Sequence, residues 1–140
     1  MSDANQILTN LTSDPLATNF QQICEEIDNL CAFDGLAAIL LLRIDGIVVE
    51  SKWPDEITDD LLPLAHWVKD VIAKVSKELQ ENTPHVSYDR PPYVVSFFKT
   101  GRAGILCGIF YEGANTTLLN IELNRAAEIF QELLEDPQNK

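Results

Sequence analysis

Two histidines and three cysteines are the side chains of this sequence best suited to act as bases, nucleophiles or metal ligands near neutral pH. His66 stands four residues before Asp70, a helical spacing at which a carboxylate orients an imidazole. A base so placed still needs a nucleophile within reach, and no serine here lies in a nucleophile-elbow context. The plainer reading of His66 is a solvated helix face. Glu25–Glu26 and Asp59–Asp60 are adjacent in sequence, so on a helix they diverge and share no substrate. Asp55, Glu56, Asp59 and Asp60 crowd the start of a helix, where they complement its dipole. The spacing and central glycine of a calcium loop are absent. Cys24 and Cys31 are seven apart on one expected helix face, which sets their Cα atoms roughly 10 Å apart. A disulfide requires less than about 7 Å, so small buried thiols are expected, Cys107 included. No catalytic, cofactor-binding or metal-binding residue is assigned, no cofactor is expected, and the chain reads as a non-enzyme.

The elements that position these residues follow from periodicity. Residues Met1 to Ser13 are polar and read as a disordered lead-in. Asp14-Pro15 suits the start of a helix, and Leu16, Phe20, Ile23, Cys24, Ile27, Leu30 and Cys31 form one apolar stripe ending near Phe33. Leu36 to Ile44 reads as a strand covered on both faces. Asp45-Gly46 is a hairpin turn in which both residues tolerate positive φ, and Ile47 to Lys52 returns. A second helix is expected from about Thr58 to Leu79. It directs Leu61, Leu64, Ala65, Val68, Val71, Ile72, Val75 and Leu79 at the sheet. His85 to Asp89 is a weak strand stopped by Pro91-Pro92, Tyr93 to Phe98 is a strong one, and Ala103 to Tyr111 pairs after a turn on Gly101. Gly104 and Gly108 share a face of that last strand, which lets a helix lie close. No Walker lysine follows them. A closing helix from about Leu118 to Glu135 carries Leu119, Leu123, Ala126, Ala127, Phe130, Leu133 and Leu134 on one stripe. The order α-ββ-α-βββ-α gives an α/β (α+β) fold. It is one antiparallel sheet of about five strands, with the middle helix on one face and the terminal pair on the other. The domain is placed at residues 14–136, with a short frayed tail at 137–140.

The chain has 140 residues, a length that fits one domain. Ten basic against 22 acidic residues give a net charge of −12. Such a surface repels phosphate backbones and anionic lipids, so neither nucleic acid nor membrane is an expected partner. No apolar run approaches the ~20 residues that span a bilayer, and no basic leader with a cleavage site is evident. A cytoplasmic location is expected.

The stretch from Gly35 to Glu50, Gly-Leu-Ala-Ala-Ile-Leu-Leu-Leu-Arg-Ile-Asp-Gly-Ile-Val-Val-Glu, resembles the roadblock/LC7 family. So does the strand Gly104 to Tyr111 with its loop and closing helix. The resemblance implies a dimeric, non-catalytic module. Some members scaffold or regulate small Ras-like GTPases, and others are dynein light chains. The implied partners are a second copy or a related roadblock protein, and a small Ras-like GTPase. Acidic secretion chaperones share this composition and are the alternative, but they place three strands before the middle helix where two are counted here.

Trp67 falls on the flank of the middle helix, with Lys74 and Glu78 on the same side. Aromatic side chains are enriched at interfaces. The resemblance adds that members join sheets edge to edge at the third strand. Trp67, Val71, Lys74, Glu78, His85 and Ser87 are therefore the expected dimer interface. Lys69, Lys74 and Lys77 form a local basic patch on an acidic chain. His66, Asp70, Lys74 and Lys77 are the expected partner-binding residues, set against the plainer reading of a face held by Asp70–Lys74 and Lys77–Glu81 pairs.

Overall fold

The computed structural model describes residues 15–56, 58–81, 84–101 and 104–134. The expected lead-in, the Asp14 cap and the tail lie outside the described residues. Helix α1 (Pro15–Cys31) is followed by strands β1 (Leu36–Arg43) and β2 (Val48–Lys52), helix α2 (Leu61–Glu81), strands β3 (His85–Arg90), β4 (Tyr93–Thr100) and β5 (Gly104–Tyr111), and helix α3 (Thr116–Leu134). The five strands form one antiparallel sheet in the order β2-β1-β5-β4-β3. Two strands precede α2, as counted from the sequence and unlike the chaperone alternative.

Alternation along the central strands divides the core in two. Leu40, Leu42, Phe97, Ile105, Cys107 and Ile109 face α2, which meets them with Leu61, Leu64, Val68, Ile72, Val75 and Leu79. Ile39, Leu41, Phe98, Leu106 and Phe110 face the other way, onto α1 and α3. Of the eight residues expected to point α2 at the sheet, six are buried, and Ala65 and Val71 are half-buried on its two margins. The glycines of β5 act as spacing suggested: a Cβ on Gly108 would meet Leu123 Cδ1 of α3 at 2.6 Å. α1 and α3 are tied by Arg125 Nη2 to Glu26 Oε1 at 2.9 Å, and α1 to β2 by Lys52 Nζ to Asp28 Oδ1 at 2.7 Å.

Three local expectations change. The Asp45-Gly46 hairpin forms as expected, with Gly46 alone at positive φ, at 91°, but its returning strand is shorter. The Gly46 amide donates to the Arg43 carbonyl and the Arg43 amide to the Ile47 carbonyl, each at 2.8 Å. The loop is thus the three-residue kind that ends on a left-handed glycine, and β2 starts at Val48. Phe20, assigned to the α1 stripe, is 47% exposed, because the buried row of that helix is Ile23, Ile27 and Leu30. β4 runs on to Thr100, since Lys99 and Thr100 still pair with Ile105 and Gly104.

The thiols also differ from expectation. Cys107 is fully buried, but Cys24 and Cys31 are half-buried. Burial and a 3.3 Å hydrogen bond from the Cys24 thiol to Glu50 Oε2 push the Cys24 pKa up to about 11. Burial also raises that of Cys31 and, more strongly, that of Cys107. Thiolate is the reactive form, so native labelling of Cys24 is expected to be slow at pH 7 and to accelerate about tenfold per pH unit up to about pH 10. Cys107 is expected to stay unlabelled until the protein is denatured. Disulfide-reagent kinetics across that range check both, and fast labelling of all three at pH 7 contradicts the packing.

Candidate functional surface

The surface is built on α2 and the edge strand β3. With the apolar row of α2 held against the sheet, Trp67, Val71 and Glu78 fall on the margin that overhangs β3. β3 alternates, so Val86 and Tyr88 point to the α2 side while His85 and Ser87 point to the α1–α3 side. The residues expected at one interface are therefore brought to one sheet edge but on both of its faces.

On the α2 side, Trp67 meets Tyr88 edge to face, with ring centroids 5.5 Å apart. It lies 6.3 Å from Phe97. The Arg90 guanidinium sits over the Trp67 ring at 4.7 Å, a cation–π distance. The Tyr88 hydroxyl donates to Glu78 Oε2 at 3.1 Å. Burial and this bond raise the Tyr88 pKa. Trp67 is thus half-buried on its own domain, and Glu78 accepts a hydrogen bond from Tyr88 within the chain. Sequence reasoning overlooks Tyr88 and Arg90; the signal is the i, i+2 spacing of Val86, Tyr88 and Arg90 beside an aromatic helix flank.

On the other face, the Ser87 hydroxyl bridges His85 Nε2 at 2.9 Å and the fully buried Ser96 hydroxyl at 2.7 Å. His85 stacks on Phe98, with centroids 4.4 Å apart and planes 12° from parallel. Burial lowers its pKa, so the imidazole is held neutral to lower pH than a free one.

The outward side of α2 carries His66, Asp70, Lys74 and Lys77, all exposed. Asp70 and Lys74 form no ion pair among the described residues, and the Glu81 side chain lies outside them, which leaves the Lys77–Glu81 pair untested. Lys69 lies on the opposite margin, facing β2. Among the described residues no three His, Cys, Asp or Glu side chains gather as metal ligands, and no helix is long and apolar enough to cross a membrane.

No protein-family model matches the sequence, and no curated protein matches it. Solved structures do. An MglB in a tetrameric arrangement is 20% identical, with 84% of this chain and 90% of that chain aligned at a TM-score of 0.68. The gliding protein MglB of Thermus thermophilus is 19% identical over 84% and 91% of the two chains, at 0.66. A roadblock/LC7 domain from Streptomyces avermitilis is 13% identical over 78% and 94%, at 0.61. At these identities the likeness is one of architecture, and it runs through the sheet and helices just described: the chain has the roadblock/LC7 fold.

Proposed function

We propose that this protein is a non-catalytic roadblock-type module that pairs with a second copy, or with a related roadblock protein, and binds a small Ras-like GTPase that it scaffolds or regulates. The observation that carries the reading is the fold, shared with MglB structures over most of both chains. The β3 edge supports it. Its strand is paired on one side only, by β4, and carries His85 and Ser87, while Trp67, Val71 and Glu78 of α2 overhang it and the exposed Lys74 follows them at helical spacing. Pairing two such edges would cover backbone groups that otherwise invite unwanted association. In that arrangement the exposed His66, Asp70, Lys74 and Lys77 of two α2 helices lie near one another and make a mixed-charge surface for the GTPase.

The test is titration of the purified protein against the small GTPases of its own genome, in both nucleotide states, at low and physiological salt. A complex with one of them is expected, weaker at higher salt. Reversing Lys74 and Lys77 to Glu is expected to weaken it about tenfold or more while leaving the fold intact. Binding to none of them, or no change on reversal, removes this face from the account.

A further inference from the structure

The hydrogen-bond phase of the sheet fixes which backbone groups of β3 face outward. The Lys99 amide donates to the Pro84 carbonyl at 3.0 Å, and the ladder sets His85 opposite Phe98. Bonded positions alternate in an antiparallel pair, so Pro84, Val86, Tyr88 and Arg90 are the residues that bond to β4. The other neighbour of β4 agrees with this phase. The Glu112 amide donates to the Pro92 carbonyl at 2.9 Å, which assigns Val94, Ser96 and Phe98 to β5 and leaves Val95, Phe97 and Lys99 for β3. Ser87 and Asp89, with His85 before them, therefore turn their N–H and C=O groups toward the open side of β3. A strand added at this edge bonds at these positions.

A second copy related by a two-fold axis meets this edge antiparallel, and the side chains separate the registers that the phase allows. With the axis at Val86, Tyr88 lies opposite Pro84. With the axis at Tyr88, Val86 lies opposite the charged Arg90, and with it at Asp89 two carboxylates oppose each other. With the axis at Ser87, Val86 lies opposite Tyr88 and His85 opposite Asp89, each pair occurring twice. Aromatic and β-branched side chains make favourable cross-strand pairs, whereas like charges directly opposite are unfavourable. Val86 and Tyr88 are only half-buried against the α2 core, so each keeps apolar surface to cover. Asp89 is exposed and shares the face of Val94, its partner on β4, which is the α1–α3 face that His85 also occupies. The Ser87 register thus sets a carboxylate against an imidazole on one face and an aromatic ring against a β-branched side chain on the other.

We propose that the partner at the β3 edge is a second copy of this chain, paired antiparallel with the two-fold axis at Ser87. The backbone groups of the two Ser87 residues bond to each other, His85 of each copy faces Asp89 of the other, and Val86 of each faces Tyr88 of the other. Trp67, 5.5 Å from Tyr88, borders the seam on the α2 side. The inference rests on the edge pairing of the proposed function, and it specifies which chain supplies the second edge and in what register.

The experiment introduces one cysteine at a time into the full chain at Val86, Ser87, Tyr88 or Asp89, oxidises mildly, and reads linked dimer on non-reducing gels. Wild type is the control for the native thiols. Across an axis at Ser87 the two Cα atoms are about 5.5 Å apart, within disulfide reach. Equivalent residues of the two copies are about 7–8 Å apart at Val86 or Tyr88, and farther at Asp89. Ser87→Cys is therefore expected to give about fivefold or more linked dimer than Val86→Cys, Tyr88→Cys or Asp89→Cys. Should Ser87→Cys not fold, His85→Cys and Asp89→Cys chains are mixed, and the mixture is expected to link about fivefold or more than either alone. A dimer that links best at Val86, Tyr88 or Asp89, or at none of the four, overturns the proposal and leaves the module reading in place. A chain that is monomeric alone by light scattering and pairs only with a related roadblock protein overturns the second copy as partner, again without touching that reading. A chain monomeric in both settings removes the edge pairing itself.

Discussion

Replacing Phe97 by alanine is expected to lower the unfolding free energy by about 3–5 kcal/mol. Phe97 is closed off from solvent, with a relative accessibility of 0%. Its ring lies between the α2 core and the aromatic group of Trp67 and Tyr88, 6.3 and 6.0 Å away. Truncation leaves a cavity in a central strand and removes the support beneath Trp67. Against a typical total of about 5–15 kcal/mol, this is a large share of the stability. Urea unfolding measures it, and tryptophan emission should shift to the red as Trp67 loosens. Phe20→Ala is the contrast. That side chain is 47% exposed, and its loss is expected to change stability by about 0.5 kcal/mol or less. Similar values for the two would contradict the assignment of the core.

Gly35→Ala is expected to be nearly as damaging, by a different route. Gly35 has φ of +94°, and an added Cβ would lie 2.5 Å from Ala114 Cβ. The first feature costs an L-residue about 1–2 kcal/mol, and the overlap about 1–3 more. Ala114 Cβ is fixed to its backbone and cannot swing aside. The loop before α3 therefore has to move, although the Tyr111 amide donates to the Gly35 carbonyl at 2.8 Å and holds the two turns together. Gly113→Ala separates the terms. Gly113 has φ of +91° with nothing within 4 Å of an added Cβ, so only the backbone cost is expected there. Ala114→Gly in the Gly35→Ala background should return most of the difference. If the two single variants unfold alike, the close approach of these turns is wrong.

Much of the fold is legible in the sequence because it rests on local rules. Strict 3.6-residue stripes mark the three helices, and two-sided apolar strands have to lie between layers. The glycine pair of β5 announces the close approach of α3. What escapes are features set by side chains distant in sequence. Trp67 reads as an uncovered flank residue, yet Tyr88 and Arg90, more than twenty residues on, half-cover it. Glu78 reads as a flank residue beside Lys74, and the hydrogen bond it accepts from Tyr88 depends on a strand ten residues further on. The Asp45-Gly46 turn reads as a hairpin, but its class depends on how many residues lie between paired positions, which composition leaves open.

The most direct measurement of the central claim is the solution mass of the intact chain by light scattering at micromolar concentration. The proposed module presents its partner-binding residues from two α2 helices at once, so a mass twice the 15.7 kDa of one chain is expected. Trp67→Ala together with Ser87→Lys, which places a charge at the β3 edge, should shift the protein toward monomer while circular dichroism keeps its helix and strand content. A wild-type protein that remains at 15.7 kDa, and that stays at that mass when mixed with the related roadblock proteins of its own genome, would contradict the account, because one copy alone does not assemble the surface on which the proposed function depends.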